Sequence, residues 1–212
     1  MNNHPIIPVL AHTSLFTPQE VESIASYFKY KVYPPKKIIV DLGDINDKLY
    51  FIEFGLLREF SYNSLDPDLD PDLDPDLDPD LDPDQTHTHW LMSAGHFVYL
   101  AESFIEETPS KVLLQAIDKS KVWYVTKQDW RQLRLKYPML NFLGQSLTEQ
   151  YLLKYERFIN MLRLKPAERY EWFEYYHREL INTAPLKYVA SYLQMHPTTL
   201  SKIRSQRVRT KK

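Results

Sequence analysis

Apolar residues recur at two different intervals along the chain, and the change of interval predicts the order of its helices and strands. Near the N-terminus the apolar residues lie three and four positions apart. They follow Thr17 and Glu20, which have the spacing of a capping box. This helix is expected to run to about Tyr33. Between residues 37 and 126 the pattern changes to short β-branched and aromatic runs, which predict strands at 38–40, 49–52, 56–62, 89–92, 112–117 and 122–125.

Turn residues separate these predicted strands. Three of the four glycines, Gly43, Gly55 and Gly95, lie between them, where a left-handed backbone is often required. Many short strands at this spacing are typical of an antiparallel roll or barrel. We therefore predict an α+β fold that begins with an antiparallel, jelly-roll-like β-roll domain over residues 1–137, in which a short helix follows Thr126.

The longest helical pattern of the chain covers residues 138–164. Its apolar stripe is narrow, as in a seam between two helices. The stripe consists of Leu140, Leu143, Leu147, Tyr151, Tyr155, Phe158 and Leu162. Such a stripe either meets a second copy of the helix or packs against its own domain, and the spacing alone is compatible with both. We predict that 138–164 is a dimerisation helix.

The end of the chain contains two short helical patterns joined by a tight turn. Val189 and Leu193 share a face of the first helix, Leu200 and Ile203 share a face of the second, and Pro197 suits the first turn of the second. This arrangement predicts a helix-turn-helix within an all-α domain over 165–212. The side chains left for solvent on the second helix are hydroxyls and cations, namely Thr198, Thr199, Ser201, Lys202, Arg204 and Ser205.

Charge indicates the partner of this terminal pair. From residue 185 onward the chain has seven Lys and Arg residues and no Asp or Glu. Short hydroxyls and cations are the groups that contact the phosphates and base edges of a duplex. A basic run can also be only a solvated face, but here it coincides with the helical spacing. We therefore predict binding to double-stranded DNA.

The formal net charge of −2 conceals a segregation of charge. Residues 65–84 are five copies of Leu-Asp-Pro-Asp and contain ten acids and no base. Without them, 18 acidic and 26 basic residues remain, a charge of about +8 that suits a polyanion. Regular proline and repelling acids oppose both helix and strand. We predict a flexible loop at a hairpin tip here, in preference to a calcium site, which needs glycine-shaped ligand loops.

Composition excludes several other classes of protein. The absence of cysteine excludes disulfides, zinc–thiolate sites and cysteine-held iron–sulfur clusters. The N-terminus lacks the features of a secretory signal and no 18-residue apolar run follows, so we expect a cytoplasmic protein that is not in a membrane. No nucleophile–base pair or phosphate-cradling glycine loop is present, so we expect no enzyme, no catalytic residue, no bound metal and no cofactor.

Three segments resemble the Crp/Fnr family of bacterial transcription regulators. Leu49 to Arg58 resembles paired strands of the family's cyclic-nucleotide-binding roll. Gly95 to Val98, followed by Glu102 and Ser110, resembles its effector-pocket segment as short members from Bacteroidetes carry it, and 185–204 resembles its helix-turn-helix. The resemblance implies a homodimer about 138–164 that binds a palindromic site, with one recognition helix in each of two successive major grooves.

The resemblance also assigns roles to residues. It implies that Thr198, Ser201 and Lys202 face bases, and that Thr199 and the basic residues after Ile203 hold phosphates. With Arg204, Ser205 and Arg207 these make up the predicted DNA-binding set. It further implies an effector pocket formed by Phe97, Val98, Tyr99, Leu100, Ala101, Glu102, Ser103, Pro109 and Ser110.

The chain departs from the relatives that bind cyclic AMP. In those relatives an arginine precedes the small residue late in the pocket and meets the cyclic phosphate, whereas Pro109 precedes Ser110 here. An anion without a partner is costly to bury, so we expect a small-molecule effector other than cyclic AMP. The turn position of the helix-turn-helix, often glycine, is Gln194, which must adopt the backbone conformation that the turn requires.

Two other functions stay open at this stage. The roll could serve as a scaffold or protein-docking domain of a regulator that has no ligand. A jelly roll could also carry metal in a cupin-type enzyme, because His87 and His89 have the spacing of two ligands. The carboxylate that would follow them is absent.

Overall fold

A computed structural model describes residues 4–62 and 86–210. It contains eight strands, β1 (Lys29–Tyr33), β2 (Ile38–Val40), β3 (Lys48–Phe54), β4 (Leu56–Tyr62), β5 (Thr86–Ser93), β6 (Phe97–Val98), β7 (Leu113–Ala116) and β8 (Ser120–Thr126). Its helices are α1 (Ile6–His12), α2 (Pro18–Ala25), α3 (Ala101–Glu106), α4 (Lys127–Lys136), α5 (Leu140–Met161), α6 (Pro166–Tyr176), α7 (Leu186–Tyr192) and α8 (Pro197–Thr210). A 3-10 turn, Arg178–Leu180, lies between α6 and α7. The Leu-Asp-Pro-Asp array lies outside the described residues.

The strands form two four-stranded antiparallel sheets, as predicted for the roll. One has the order β1-β8-β3-β6 and the other β2-β7-β4-β5. Buried side chains between the sheets, among them Tyr50, Ile52, Leu57 and Leu114, form the centre of the roll. The predicted α+β class and antiparallel topology are therefore confirmed.

Local signals located the turns and helix starts. Thr17 and Glu20 form the capping box of α2, with Glu20 N–H donating to Thr17 Oγ1 at 3.3 Å. Thr126 caps α4 in a similar way, accepting from the backbone N–H of Asp129. Gly55 has a φ of +103°, and a Cβ there would lie 2.2 Å from Ser120 Oγ, so only glycine fits.

The first predicted helix is shorter than its pattern suggested. It ends at Ala25, and the residues up to Tyr33 form β1, paired with β8 at the edge of the first sheet. The expected end near Tyr33 is therefore wrong, because hydrogen bonding to β8 outweighs the local helical spacing. The sequence also did not predict α1 or the two-residue strand β6.

The stripe along α5 packs mostly within its own chain. Leu140 lies in the core formed with α1, α2 and α4, and Leu143 packs beside it. Phe158 and Leu162 join a second core under the C-terminal helices. For these residues the alternative of packing against their own domain is the one observed.

Candidate functional sites

The predicted pair of terminal helices is present as α7 and α8. Gln194 has a φ of +51°, so it adopts the left-handed conformation that the short connection needs. Behind it, Met195 N–H donates to the Ala190 carbonyl at 3.0 Å and closes the turn. Val189, Ala190, Leu193 and Leu200 are buried between the helices and α6. The small side chain of Ala190 allows this close approach.

His196 caps the start of α8, a role that the sequence pattern did not predict. Its Nδ1 accepts from the backbone N–H of Thr198 at 3.2 Å and lies 2.8 Å from Thr198 Oγ1. Asn, Asp, Ser and Thr are the usual caps, so a histidine before Pro197 carried no signal. The cap holds Thr198 at the exposed beginning of the helix.

Arg169 of α6 connects the turn between α7 and α8 to the end of α5. Its guanidinium donates to the carbonyls of Leu193 at 3.0 Å and Gln194 at 3.2 Å on one side. On the other side it donates to those of Leu162 and Leu164, both at 2.9 Å. These carbonyls follow helix ends and have no partner within their own helices, which is why a cation suits this position.

The predicted DNA-binding residues divide into two groups on α8. Thr198, Ser201, Lys202 and Ser205 are exposed. Ser201 and Lys202 lie three and four positions after Thr198, and Ser205 lies four and three positions after them, so the four residues form one outward stripe. Thr199, Arg204 and Arg207 are half-buried at its margins. No acidic residue lies on this stripe.

Arg207 is engaged within the chain. It forms ion pairs with Glu171 at 2.6 Å and Glu174 at 3.0 Å, both on α6. A phosphate contact by Arg207 would have to replace or share these pairs. The sequence offered no sign of this, because the acids lie more than thirty positions earlier.

The first helix of the pair is docked on the roll. Ser191 of α7 binds the free edge of β5, accepting from Thr88 N–H at 2.9 Å and donating to the Thr86 carbonyl at 3.1 Å. The Arg58 guanidinium of β4 stacks on Tyr188 of α7, 4.1 Å from the ring centre. The position of α7 and α8 is thus set by contacts with both α6 and the second sheet.

A cavity of about 180 Å³ lies where the roll, α5 and the end of α6 meet. We call it the junction cavity. Aromatic rings and titratable groups line it, among them Glu59, Trp90, Tyr99, Tyr151, Lys154 and His177. Trp90 of β5 also contacts Phe158 of α5 and Tyr192 of α7, with ring centres 5.5 and 6.4 Å apart.

Burial governs the ionisation of the groups around the junction cavity. It raises the pKa of Glu59 to about 7 and, together with Lys154 and His96, lowers that of His177 to about 4. Burial also lowers the pKa of His96. It lowers the pKa of Lys154 as well, although the nearby carboxylate of Glu179 acts in the opposite direction. At neutral pH both imidazoles are therefore uncharged and Glu59 is near its midpoint.

Only part of the predicted effector pocket reaches this cavity. Phe97, Val98 and Tyr99 line it. Leu100 is buried in the roll, and Ala101 begins α3. The remaining predicted residues are engaged elsewhere: Glu102 pairs with Lys111 at the surface, Ser103 donates to the Thr108 carbonyl, Pro109 is exposed and Ser110 donates to the Val112 carbonyl.

The histidine pair considered for metal binding has local partners. His87 and His89 stack edge to face with ring centres 4.8 Å apart, and His89 Nε2 lies 2.9 Å from Ser61 Oγ. Within residues 4–62 and 86–210 no group of three or more potential metal ligands comes together. No helix in the same ranges is long and apolar enough to span a bilayer.

Comparison with known proteins identifies the fold. No protein-family model matches the sequence, and no curated protein matches it. The structure is similar to FixK2 from Bradyrhizobium japonicum, with a TM-score of 0.66 and 14% identity over 84% of this chain and 83% of that one. It is also similar to a CooA mutant from Carboxydothermus hydrogenoformans, with a TM-score of 0.62 and 12% identity over 89% of this chain and 79% of that one.

A third similar structure is that of CLP from Xanthomonas campestris, described as a c-di-GMP-responsive global regulator that links cell–cell signalling to virulence gene expression. The TM-score is 0.63, with 14% identity over 90% of this chain and 91% of that one. At such identities the likeness establishes the fold. What the site does has to be argued from its own residues.

Proposed function

We propose that the protein is a homodimeric, DNA-binding transcription regulator of the Crp/Fnr type, which binds a palindromic site through α8. One observation carries this proposal. The exposed stripe of Thr198, Ser201, Lys202 and Ser205 lies on a helix that starts after a tight turn, in a segment without acids. The fold shared with FixK2, CooA and CLP supports it, since CLP is described as a regulator of gene expression.

DNA binding is tested by selection from random duplexes, followed by titration over a range of salt. A palindromic preference and a steep loss of affinity with salt are expected, because several phosphates are neutralised per subunit. Lys202→Ala should weaken specific binding by about 1–3 kcal/mol and relax the preference at one position. Lys119→Ala, which removes an exposed lysine from a turn of the roll, is the matched control. Selection without any preferred sequence would contradict the proposal.

Exposed apolar side chains on α5 support self-association. Phe142, Leu152 and Leu153 are 58%, 63% and 49% exposed and lie on the side of α5 that faces away from the chain's own core. Phe142 and Leu153 are eleven residues apart, three helical turns on one face. We propose that this face, and not the whole of the predicted stripe, meets a second copy.

The dimer is tested by light scattering on the full chain. The double substitution Phe142→Glu and Leu153→Glu should yield monomers and abolish tight binding to the palindrome. Ile45→Glu, at an exposed apolar position in a loop of the roll, should remain dimeric. A monomeric wild type would refute this part of the proposal.

We propose that the junction cavity is the effector site and that its ligand is not cyclic AMP. Glu102 and Pro109 lie outside the cavity, and Glu59 would place a carboxylate beside a bound phosphate. A roll that serves only as a scaffold would require no such cavity. The experiment is a titration of the protein with cyclic AMP, which should show no binding.

A further inference from the structure

Glu59 is a carboxyl group without a partner on the wall of the junction cavity. It makes no hydrogen bond or ion pair with any residue of the described ranges, and burial alone accounts for its raised pKa. Glu53 of the preceding strand β3, by contrast, forms an ion pair with Lys121 at 2.9 Å. Glu59 is half-buried, with its carboxyl at the poorly hydrated cavity wall. A carboxylate without a partner is costly there, and a bound cation or N–H donor would offset this cost.

Aromatic rings surround the space in front of this carboxyl. Trp90 and Tyr151 lie 5.9 Å apart between ring centres, and Tyr99 and Tyr151 lie 6.4 Å apart. Tyr176 completes the lining from the end of α6. Ring faces attract cations through their quadrupole, and several rings beside one carboxylate form a site for organic ammonium groups.

The remaining charged groups at the cavity do not neutralise Glu59. Lys154 and Glu179 both line the cavity, and Glu179 opposes the fall in the pKa of Lys154 that burial causes, so one positive and one negative group offset. His96 and His177 are held neutral by burial. Burial raises the pKa of the Tyr151 phenol, so Tyr151 is uncharged at neutral pH. When ionised, Glu59 thus leaves the lining with about one net negative charge.

The volume limits the size of an occupant. An apolar protein cavity of about 150 Å³ holds one benzene ring. At about 180 Å³ the junction cavity therefore accepts a single ring with a short substituent. A cyclic nucleotide, with a base, a sugar and a phosphate, is too large for it and carries the wrong charge.

We infer that the junction cavity binds a small organic cation, a one-ring or similarly compact amine whose nitrogen meets Glu59 and whose apolar part lies against Trp90 and Tyr151. This inference rests on the proposed effector role of the cavity and specifies the chemical class of the ligand. The occupant would contact the roll, α5 and the segment before α7 simultaneously. Trp90, which touches Tyr192 of α7, would be its most direct link to the terminal helices.

Isothermal titration of the full chain with three compounds of matched shape tests the inference. Benzylamine is the cation, benzyl alcohol the neutral analogue and benzoate the anion. Benzylamine should bind at least tenfold more tightly than either of the others. Glu59→Gln should reduce its affinity at least tenfold, whereas Glu22→Gln, at an exposed position of α2, should leave it unchanged.

A pH series on the wild type tests the role of Glu59 independently of whether the variant folds. An alkylamine stays protonated and benzoate ionised from pH 6 to 8, while Glu59 titrates near 7. Benzylamine affinity should therefore rise about tenfold between pH 6 and 8, and Glu59→Gln should abolish the rise. No benzylamine binding, tighter binding of benzoate, a flat pH series, or an unaffected Glu59→Gln would each overturn the inference.

These outcomes are separate from those for the proposed regulator. Selective benzylamine binding without any sequence-specific DNA binding would uphold the cation site and refute the regulator. Specific DNA binding without benzylamine binding would uphold the regulator and refute the cation site.

Discussion

Arg169 should be a principal stabilising residue of the C-terminal helices, although it is neither in a core nor at a predicted site. Its guanidinium donates four hydrogen bonds to backbone carbonyls, two after α5 and two in the turn before α8. Arg169→Met keeps most of the apolar stem and removes all four. Arg169→Lys keeps the charge and can replace only one or two of them.

The expected loss follows from the type and exposure of these bonds. A hydrogen bond to a charged group contributes about 1.5–3 kcal/mol, and a carbonyl left buried and unsatisfied costs about 1–3 kcal/mol. Arg169 is half-buried, so water can reach some of the freed carbonyls. We therefore expect a total loss of about 2–4 kcal/mol for Arg169→Met and about half of that for Arg169→Lys. For a chain of this length the larger loss corresponds to a fall in Tm of roughly 4–16 °C.

Urea unfolding followed by circular dichroism measures the loss. Arg163→Met is the matched control. Arg163 is exposed in the connection between α5 and α6, and its side chain forms no hydrogen bond or ion pair in the described part of the chain. Hydrogen exchange at Met195, whose N–H closes the turn, should accelerate in Arg169→Met alone. If Arg169→Met lies within about 0.5 kcal/mol of Arg163→Met, the reasoning is refuted.

Three further perturbations test the fold. Gly55→Ala should cost about 3 kcal/mol or more in urea unfolding, because its Cβ would overlap Ser120, whereas Gly43→Ala, with open space and φ +79°, should cost only about 1–2 kcal/mol. Ser191→Ala should cost about 1–3 kcal/mol and speed exchange along β5; unchanged exchange would contradict its role at that edge. His177 has a pKa of 6.5 in the unfolded chain and about 4 in the folded one. Between these pH values the unfolded chain binds more protons, so the free energy of unfolding should fall as the pH drops from 6.5 to 4, by up to about 3 kcal/mol. In His177→Gln that part of the pH dependence should disappear.

Features determined by neighbours along the chain could be predicted from the sequence. The capping pair Thr17 and Glu20, the cap Thr126, and the turns at Gly43 and Gly55 depend on a few consecutive residues, and all occur where expected. Short runs of β-branched and aromatic residues similarly identified most strands. The α+β class follows, because an antiparallel roll is the compact way to bury many short amphipathic strands.

Features determined by distant partners could not be predicted in this way. The segment before Tyr33 has a helical pattern but forms β1, since β8 supplies its hydrogen bonds. The stripe on α5 has the spacing of a dimer seam, yet Leu140 and Phe158 are buried in the chain's own cores. A periodic pattern specifies that one face of a helix is covered and does not specify by what.

The two candidate sites show the same difference between features set by neighbouring residues and features set by distant ones. The sequence by itself determined the helix pair and the outward hydroxyl and lysine stripe of α8, because helical spacing places Thr198, Ser201 and Lys202 together. Only the tertiary structure decided which groups share the junction cavity, since Glu59 and His177 are more than a hundred positions apart in the chain. It also decided the ionisation of these groups, because desolvation depends on the surrounding packing and leaves no trace in local sequence.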